Sequence, residues 1–251
     1  MALPLSVVII TRNEAARLSA CLESVAFAGE ILVVDSGSTD ETVAIAQQHS
    51  ARVVHQPWLG FGPQKQFAVQ QASHDWVLCI DADERVSETL RNNIEATMQS
   101  PTQHVYRMPR CNRFLGRWLR FGEGYPDFNI RLFHRAHAQW SDDVVHEHVI
   151  TRDSVGTLSG DLLHESQETI ARYLEKQNGY TTLQAERLAA AGAYPSRTQL
   201  VLSPLVRFIK FYIVRQGFRD GVPGLVHIAM GCFNSFIKYA KLLELRRSDK
   251  Q

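Results

Sequence analysis

The chain predicts an α/β fold: a mostly parallel sheet with helices on both faces, followed by basic amphipathic helices toward the C-terminus. Three observations carry this expectation. Short apolar runs alternate with helical patterns over the first hundred residues, the order of strand–helix–strand units that pair in parallel. The 251 residues are 45% hydrophobic and 21% charged, enough apolar material for one large domain or a domain with an appendage. Charge is divided unevenly: residues 1–195 carry 17 Lys and Arg against 23 Asp and Glu, a net of −6, whereas residues 196–251 carry 10 against 3, a net of +7. A body with a basic arm suits an anionic partner such as a membrane surface.

In order, LSVVII reads as a first strand, EAARLSACLESVA as a helix, EILVVD as a second strand, DETVAIAQQH as a helix, ARVVH as a short strand, GPQKQFAVQQA as a helix and WVLCID as a strand buried on both faces. SETLRNNIEATMQ is a helix with Ser87 as its N-cap. The pattern then changes. HVYRMP, IRLFHR and AQW read as antiparallel additions to the sheet, and CNRFLGRWLRFGEGYPDFN between them as a loop rich in Gly, Arg and aromatics. Helical periodicity returns from Gln167 to Ala191, around Thr198–Arg215 and around Leu225–Leu245. The first 165 residues thus read as a catalytic domain, with 1–100 and 101–165 as its two halves, and 166–251 as a helical region.

Other features exclude function classes. Cys21, Cys79, Cys111 and Cys232 lie far apart with no CxxC pair, so neither a zinc ribbon nor a disulfide framework is expected. The N-terminal MALPLSVVIITRNE lacks a basic flank and a small-residue cleavage site, so it reads as a strand of a cytoplasmic protein rather than as a signal peptide. The longest uncharged run, residues 221–237, contains Pro223, Gly224, His227 and Asn234 and barely reaches spanning length. LVLSPLVRFIKFYIVRQGF mixes Arg207, Lys210 and Arg215 with aromatics and aliphatics. That mix fits an interfacial helix as well as a helix packed on the core with a solvated basic face. Its helical spacing favours a membrane over nucleic acid as the partner.

In a parallel sheet, ligands bind beyond the carboxyl ends of the strands. Those ends here are Thr11–Glu14, Asp35–Ser38 and Asp81–Glu84. In an extended segment Asp81 and Asp83 point the same way, and two carboxylates suit a hard cation carrying a diphosphate. Asp35 can accept the imide N–H of a uracil ring. Lys65 is available to a phosphate or a carboxylate.

VVIITRNEAARLSACLESV, ILVVDSGSTDETVAIA and WVLCIDADERVS resemble, in order and spacing, the nucleotide-binding half of family-2 glycosyltransferases of the GT-A (Rossmann-like) fold. YPDFNIRLFHR, DVVHEHV, GDLLHES and the basic tail are similar to bacterial lipopolysaccharide core β-glucosyltransferases. The resemblance implies inverting transfer of a sugar, glucose first among candidates, from a UDP-sugar donor with Mg²⁺ or Mn²⁺. The acceptor would be a lipopolysaccharide inner core or related glycolipid at the cytoplasmic face of the inner membrane. Thr11, Asn13, Glu14, Asp35, Ser36, Gly37, Lys65 and Asp81 would hold the nucleotide sugar, and Asp81, Asp83 and His146 the metal. Lys65–Gln66 stand where the family commonly has Arg-Asn, so phosphate would be met by a point charge instead of a bidentate fork.

Inversion needs a general base, and Glu147 and Asp127 are the candidates. His148 and His164 read as structural. Arg113, Arg117, Trp118 and Tyr125 are expected at the acceptor, guanidinium groups suiting anionic sugars and aromatic rings a sugar face. A sugar-nucleotidyltransferase would show a Gly-rich loop after the first strand, and ITRNEAAR has none. A receiver-like signalling domain would leave the Arg-rich loop, VHEHV and the basic tail without a role. Other lipid-linked or protein acceptors remain open.

Overall fold

A computed structural model describes residues 3–143, 147–165, 169–194 and 196–248. It divides into two compact units, one of residues 1–111 and 126–165, the other of 112–125 and 166–251.

In the first unit the strands are β1 (Leu3–Thr11), β2 (Ala28–Asp35), β3 (Arg52–His55), β4 (Trp76–Asp81), β5 (Glu84–Val86) and β6 (Val105–Phe114), which runs on into the second unit. The series continues with β7 (Arg117–Trp118) in the second unit, and with β8 (Asp127–His134), β9 (Ala138–Trp140), β10 (Val149–Thr151), β11 (Val155–Thr157) and β12 (Leu162–His164) in the first. The helices of the first unit are α1 (Ala15–Ser24), α2 (Thr42–Gln48), α3 (Phe61–Gln71) and α4 (Glu88–Gln99). The main sheet has the order β3-β2-β1-β4-β8-β6-β12-β5. β3, β2, β1 and β4 are parallel, while β8 joins β4, β6 joins β8 and β12 joins β5 antiparallel.

The physical reason for the parallel half lies in β1. Leu5, Val7 and Ile9 bury on one face with Leu18 and Leu22 of α1 and Ile94 of α4. Val8 and Ile10 bury on the other face with Ala68 and Val69 of α3. A strand covered on both sides reads as a continuous apolar run, as LSVVII does. Ser87 caps α4 as expected, its hydroxyl accepting the Leu90 N–H at 3.3 Å.

One sequence expectation needs correction. CNRFLGRWLRFG is not a loop throughout: β6 continues to Phe114 and β7 returns against it, Arg113 opposite Trp118. Leu115 (φ 46°) and Gly116 (φ 80°) form the reversal. Two consecutive positive φ values match the twist of a tight hairpin; Leu at the first of them hid the turn.

The second unit consists of α5 (Ile170–Ala190), α6 (Arg197–Phe208) and α7 (Gly221–Ser248), with a π-helical stretch at Ile209–Val214 and a 3₁₀ turn at Gly217–Asp220. Segment 112–125 belongs to this unit. Buried Asp220 accepts the backbone N–H groups of Arg120 (3.0 Å) and Phe121 (2.8 Å), and Glu123 pairs with Arg207. Among the described residues no helix is long and apolar enough to cross a membrane.

Candidate active site

The register aligns three strand ends. Thr11 lies opposite Asp35, and Ile10 opposite Asp81, so the carboxylates ending β2 and β4 sit two strands apart, about 10 Å along the sheet. The turn after β2 is closed by its own side chains. Asp35 Oδ2 accepts the N–H groups of Gly37 (2.9 Å) and Ser38 (3.0 Å), and the Ser38 hydroxyl donates to Oδ1. Gly37 has φ 87°, where a side chain would be strained. Three donors leave one of the carboxylate's roughly four lone-pair positions for another partner.

The loop after β1 is tied to the same turn. The Asn13 N–H donates to Ser38 Oγ (2.9 Å), its side-chain oxygen accepts the Thr39 N–H (2.8 Å), and the Glu14 N–H donates to Thr42 Oγ1 (2.8 Å). Burial pushes the Glu14 carboxyl up despite its pairing with Arg17. Buried Gln64 of α3 donates to Ser36 Oγ at 3.0 Å, a link the sequence did not signal.

The extended geometry expected for Asp81-Ala82-Asp83 does not form. The chain turns at Ala82 and Asp83, because Glu84 Oε2 accepts the Asp81 N–H at 3.0 Å and β5 starts at Glu84. The two aspartates therefore meet different partners. Asp81 Oδ1 is 3.2 Å from Lys65 Nζ, and Oδ2 is 3.2 Å from Arg131 Nη2. Burial opposes the Asp81 charge, but Lys65 and Arg131 overcome it and hold the carboxyl well below the usual range. Asp83 Oδ2 instead lies 3.3 Å from His164 Nε2.

Lys65, 4% exposed, also reaches Glu147 Oε1 at 3.0 Å and lies 4.8 Å from the centre of the Trp140 ring. Gly62 makes this contact possible. A Cβ there would lie 2.0 Å from Ser141 O and 3.4 Å from Glu147 Cβ, so only glycine lets the segment carrying Glu147 rest on the first turn of α3. Arg131 of β8 is 3% exposed and bonds Glu84 Oε1 at 2.9 Å; the Glu84 side chain is fully buried. Burial pushes the Glu84 carboxyl up against the pull of Arg131.

Of the predicted residues, the structure brings together Lys65, Asp81 and Glu147, and places Asp83 on the adjoining turn. Asp127 is less free: Arg110 holds it at 3.0 Å and stands 3.8 Å from Glu84. His146 lies outside the described residues. His148 pairs at the surface with Asp143 at 3.3 Å. Arg113, Arg117, Trp118 and Tyr125 belong to the second unit. There the Arg113 guanidinium is 5.8 Å from the Trp118 ring centre, and Arg117 donates to the Arg219 carbonyl at 2.9 Å and faces Asp220 at 3.7 Å. Sequence reading missed Arg131 and Trp140, and it read as structural His164, which faces Asp83. A lone Arg inside the apolar run IRLF was the available signal, since a buried guanidinium requires an acid.

The donor set fits a divalent ion at Asp83 and His164. A carboxylate oxygen and an imidazole nitrogen 3.3 Å apart can both reach one ion of Mn²⁺ type. Asp81 is flanked by two cations, and its Oδ1 is buried without a hydrogen-bond partner among the described residues. Thr11 Oγ1 and the Nε and Nη1 of Arg131 are buried without a hydrogen-bond partner among the described residues, and such groups call for a polar ligand.

The profile of glycosyl transferase family 2 matches residues 6–156, more than half of the chain. The chain belongs to this family. Along its length this family-2 glycosyltransferase is 32% identical over 250 residues to the lipopolysaccharide core biosynthesis glycosyltransferase LpsC of Rhizobium meliloti (strain 1021), covering 96% of the chain and 93% of LpsC. An uncharacterised glycosyltransferase of Rickettsia bellii (strain RML369-C) is 34% identical over 257 residues, covering 96% and 86%. Among solved structures, residues 1–349 of Staphylococcus aureus TarS overlay with a TM-score of 0.49 at 15% identity, covering 98% of the chain and 91% of that structure.

Proposed function

We propose that this glycosyltransferase moves a hexose, glucose first among candidates, from its UDP-sugar to the inner core of lipopolysaccharide, with inversion, at the cytoplasmic face of the inner membrane. The observation that carries this reading is the convergence of Lys65, Asp81 and Glu147 beside the Asp83–His164 pair at the ends of adjacent strands. The similarity to LpsC along nearly the whole of both chains supports the acceptor class.

Asp35, Ser36, Gly37, Thr11, Asn13 and Glu14 would cradle the nucleoside. Asp81 would orient ribose and diphosphate, and Asp83 and His164 would hold Mn²⁺ or Mg²⁺. When bound, the ion supplies positive charge opposite the departing diphosphate. An imidazole among the ligands favours Mn²⁺ over Mg²⁺, which demands oxygen ligands. Glu147, oriented by Lys65, would take the proton from the acceptor hydroxyl. That oxygen attacks the anomeric carbon, and the C–O bond electrons leave with UDP. Asp127, pinned by Arg110, is the second candidate base.

The second unit supports action at a lipid surface. Val201, Leu205, Val206, Ile209 and Ile213 are all exposed along α6 and the π-helical stretch, at spacings that put them on one side of the helix. They lie in a region with a net charge of +7, a combination that suits anionic lipid.

The test is transfer from a panel of UDP-sugars, with Mn²⁺ or Mg²⁺, to purified core acceptors, with the anomeric configuration of the product read by NMR. Turnover with UDP-glucose and a β-linked product is expected. Asp83→Asn should abolish metal-dependent UDP binding, and unchanged binding in that variant would remove the metal assignment. Transfer only to a protein or to another lipid-linked glycan would refute the core acceptor.

A further inference from the structure

At the opposite end of the sheet, three segments of the first unit bring His104, His137 and Asp153 together. His104 precedes β6, His137 precedes β9, and Asp153 lies between β10 and β11. The cluster is remote from the nucleotide end. His134, beside it, pairs with Trp76 at the start of β4, whereas Asp81 ends that strand, and five residues of strand span about 16 Å.

The geometry is convergent. His104 Nδ1 lies 3.0 Å and His137 Nδ1 2.7 Å from the same oxygen, Oδ2 of Asp153. The two rings stack with centroids 3.6 Å apart and planes at 16°. His134 stands edge-on to both, at 5.3 Å from His137 and 6.2 Å from His104. The loop presenting the carboxylate is itself built: the Asp153 N–H donates to Thr151 Oγ1 at 3.0 Å, and that hydroxyl donates to the His137 carbonyl at 3.0 Å.

Two imidazole nitrogens and one carboxylate oxygen, all within 4.8 Å of one another, form an N,N,O donor set. Such a set suits borderline first-row ions rather than Mg²⁺ or Ca²⁺. With bonds of about 2.0–2.1 Å, a tetrahedral ion separates its ligand atoms by roughly 3.4 Å, so the two N···O distances need to open by about half an ångström. The rings must also turn out of the stack so that both lone pairs meet one point. His104 is 52% and His137 36% exposed, and neither is locked by surrounding core.

We propose that His104, His137 and Asp153 bind a first-row transition-metal dication, Zn²⁺ foremost, at a site separate from the nucleotide-binding end. The ion replaces the protons now shared with Asp153 and ties the starts of β6 and β9 to the β10–β11 loop. Water or the His134 imidazole completes the coordination. The site serves stability and is independent of the transferase reading.

The full-length chain is stripped with chelator and titrated with Zn²⁺ by calorimetry, and with Co²⁺ by visible absorption. One ion bound per chain in addition to any held by Asp83 and His164, intense tetrahedral Co²⁺ bands, and a rise of roughly 5–10 °C in the unfolding midpoint at a hundredfold excess over the dissociation constant are expected. His104→Ala/His137→Ala and the milder Asp153→Asn should each weaken this binding at least tenfold, whereas Asp83→Asn should leave it intact. Absence of Zn²⁺ binding, or binding that survives the histidine and Asp153 substitutions, overturns the proposal.

Discussion

Replacing Arg131 by Met removes the cation that two buried carboxylates share. The guanidinium is 3% exposed, 2.9 Å from Glu84 and 3.2 Å from Asp81. Without it, Asp81 keeps Lys65, whereas among the described residues Glu84 keeps the Asp81 N–H and Arg110 at 3.8 Å. Removing one partner of a buried ion pair costs roughly 3–5 kcal/mol, because a charge is left desolvated. For a protein of this size each kcal/mol lowers the unfolding midpoint by about 2–4 °C, so a fall of roughly 6–20 °C is expected.

The same variant has a signature in pH. Glu84 already has a raised carboxyl, from burial first, and loss of Arg131 raises it further. A folded-state pKa above the unfolded one means that protonation favours the fold. The variant should therefore gain stability, relative to the parent, as pH falls through the folded pKa, and lose it as pH rises. The assay is chemical denaturation of parent, Arg131→Met, Glu84→Gln and the double variant at several pH values. Coupling of roughly 1–3 kcal/mol between the two positions is expected. Additive effects, or a midpoint within about 2 °C of the parent, would refute the picture of a shared buried charge network.

Glu147→Gln should cut turnover by at least 10²-fold, the scale of a lost general base, with UDP binding retained in calorimetry; normal turnover would move the base to Asp127. Gly62→Ala should lower kcat and stability together, since its Cβ would fall 2.0 Å from Ser141 O and push away the segment that carries Glu147; a crystal structure of the variant with that segment unmoved would contradict this. Glu30 accepts from Ser6, Ser73 and Arg52; although burial raises its carboxyl, these bonds bring it from 4.5 down to about 2. Its contribution is present above pH 4.5 and lost as pH falls toward 2, so Glu30→Gln should flatten the acid limb of the stability curve measured by urea titration. Leu205→Asp with Ile209→Asp should reduce sedimentation with phosphatidylglycerol-containing vesicles several-fold while leaving the circular dichroism spectrum unchanged, and undiminished sedimentation would move the lipid contact off this face.

By itself the sequence determined the alternation of β1 to β4 with α1 to α3, the two-sided burial of β4, the Ser87 cap and the strand ends at which polar residues gather, but not the short strands β5, β7, β10, β11 and β12. These follow from local periodicity, and a strand covered by helices on both faces must be apolar throughout. It also carried the family, because VVDSGSTD and DADE are contiguous strings. Only the tertiary structure decided which acid meets which base. The turn at Ala82–Asp83 sends Asp81 to Lys65 and Arg131 and Asp83 to His164, partners 16 to 81 residues away in the chain. The union of His104, His137 and Asp153 likewise rests on three loops that meet only once the sheet has formed. Electrostatic partnership depends on distance in space, which sequence spacing encodes only within one strand or one helical turn.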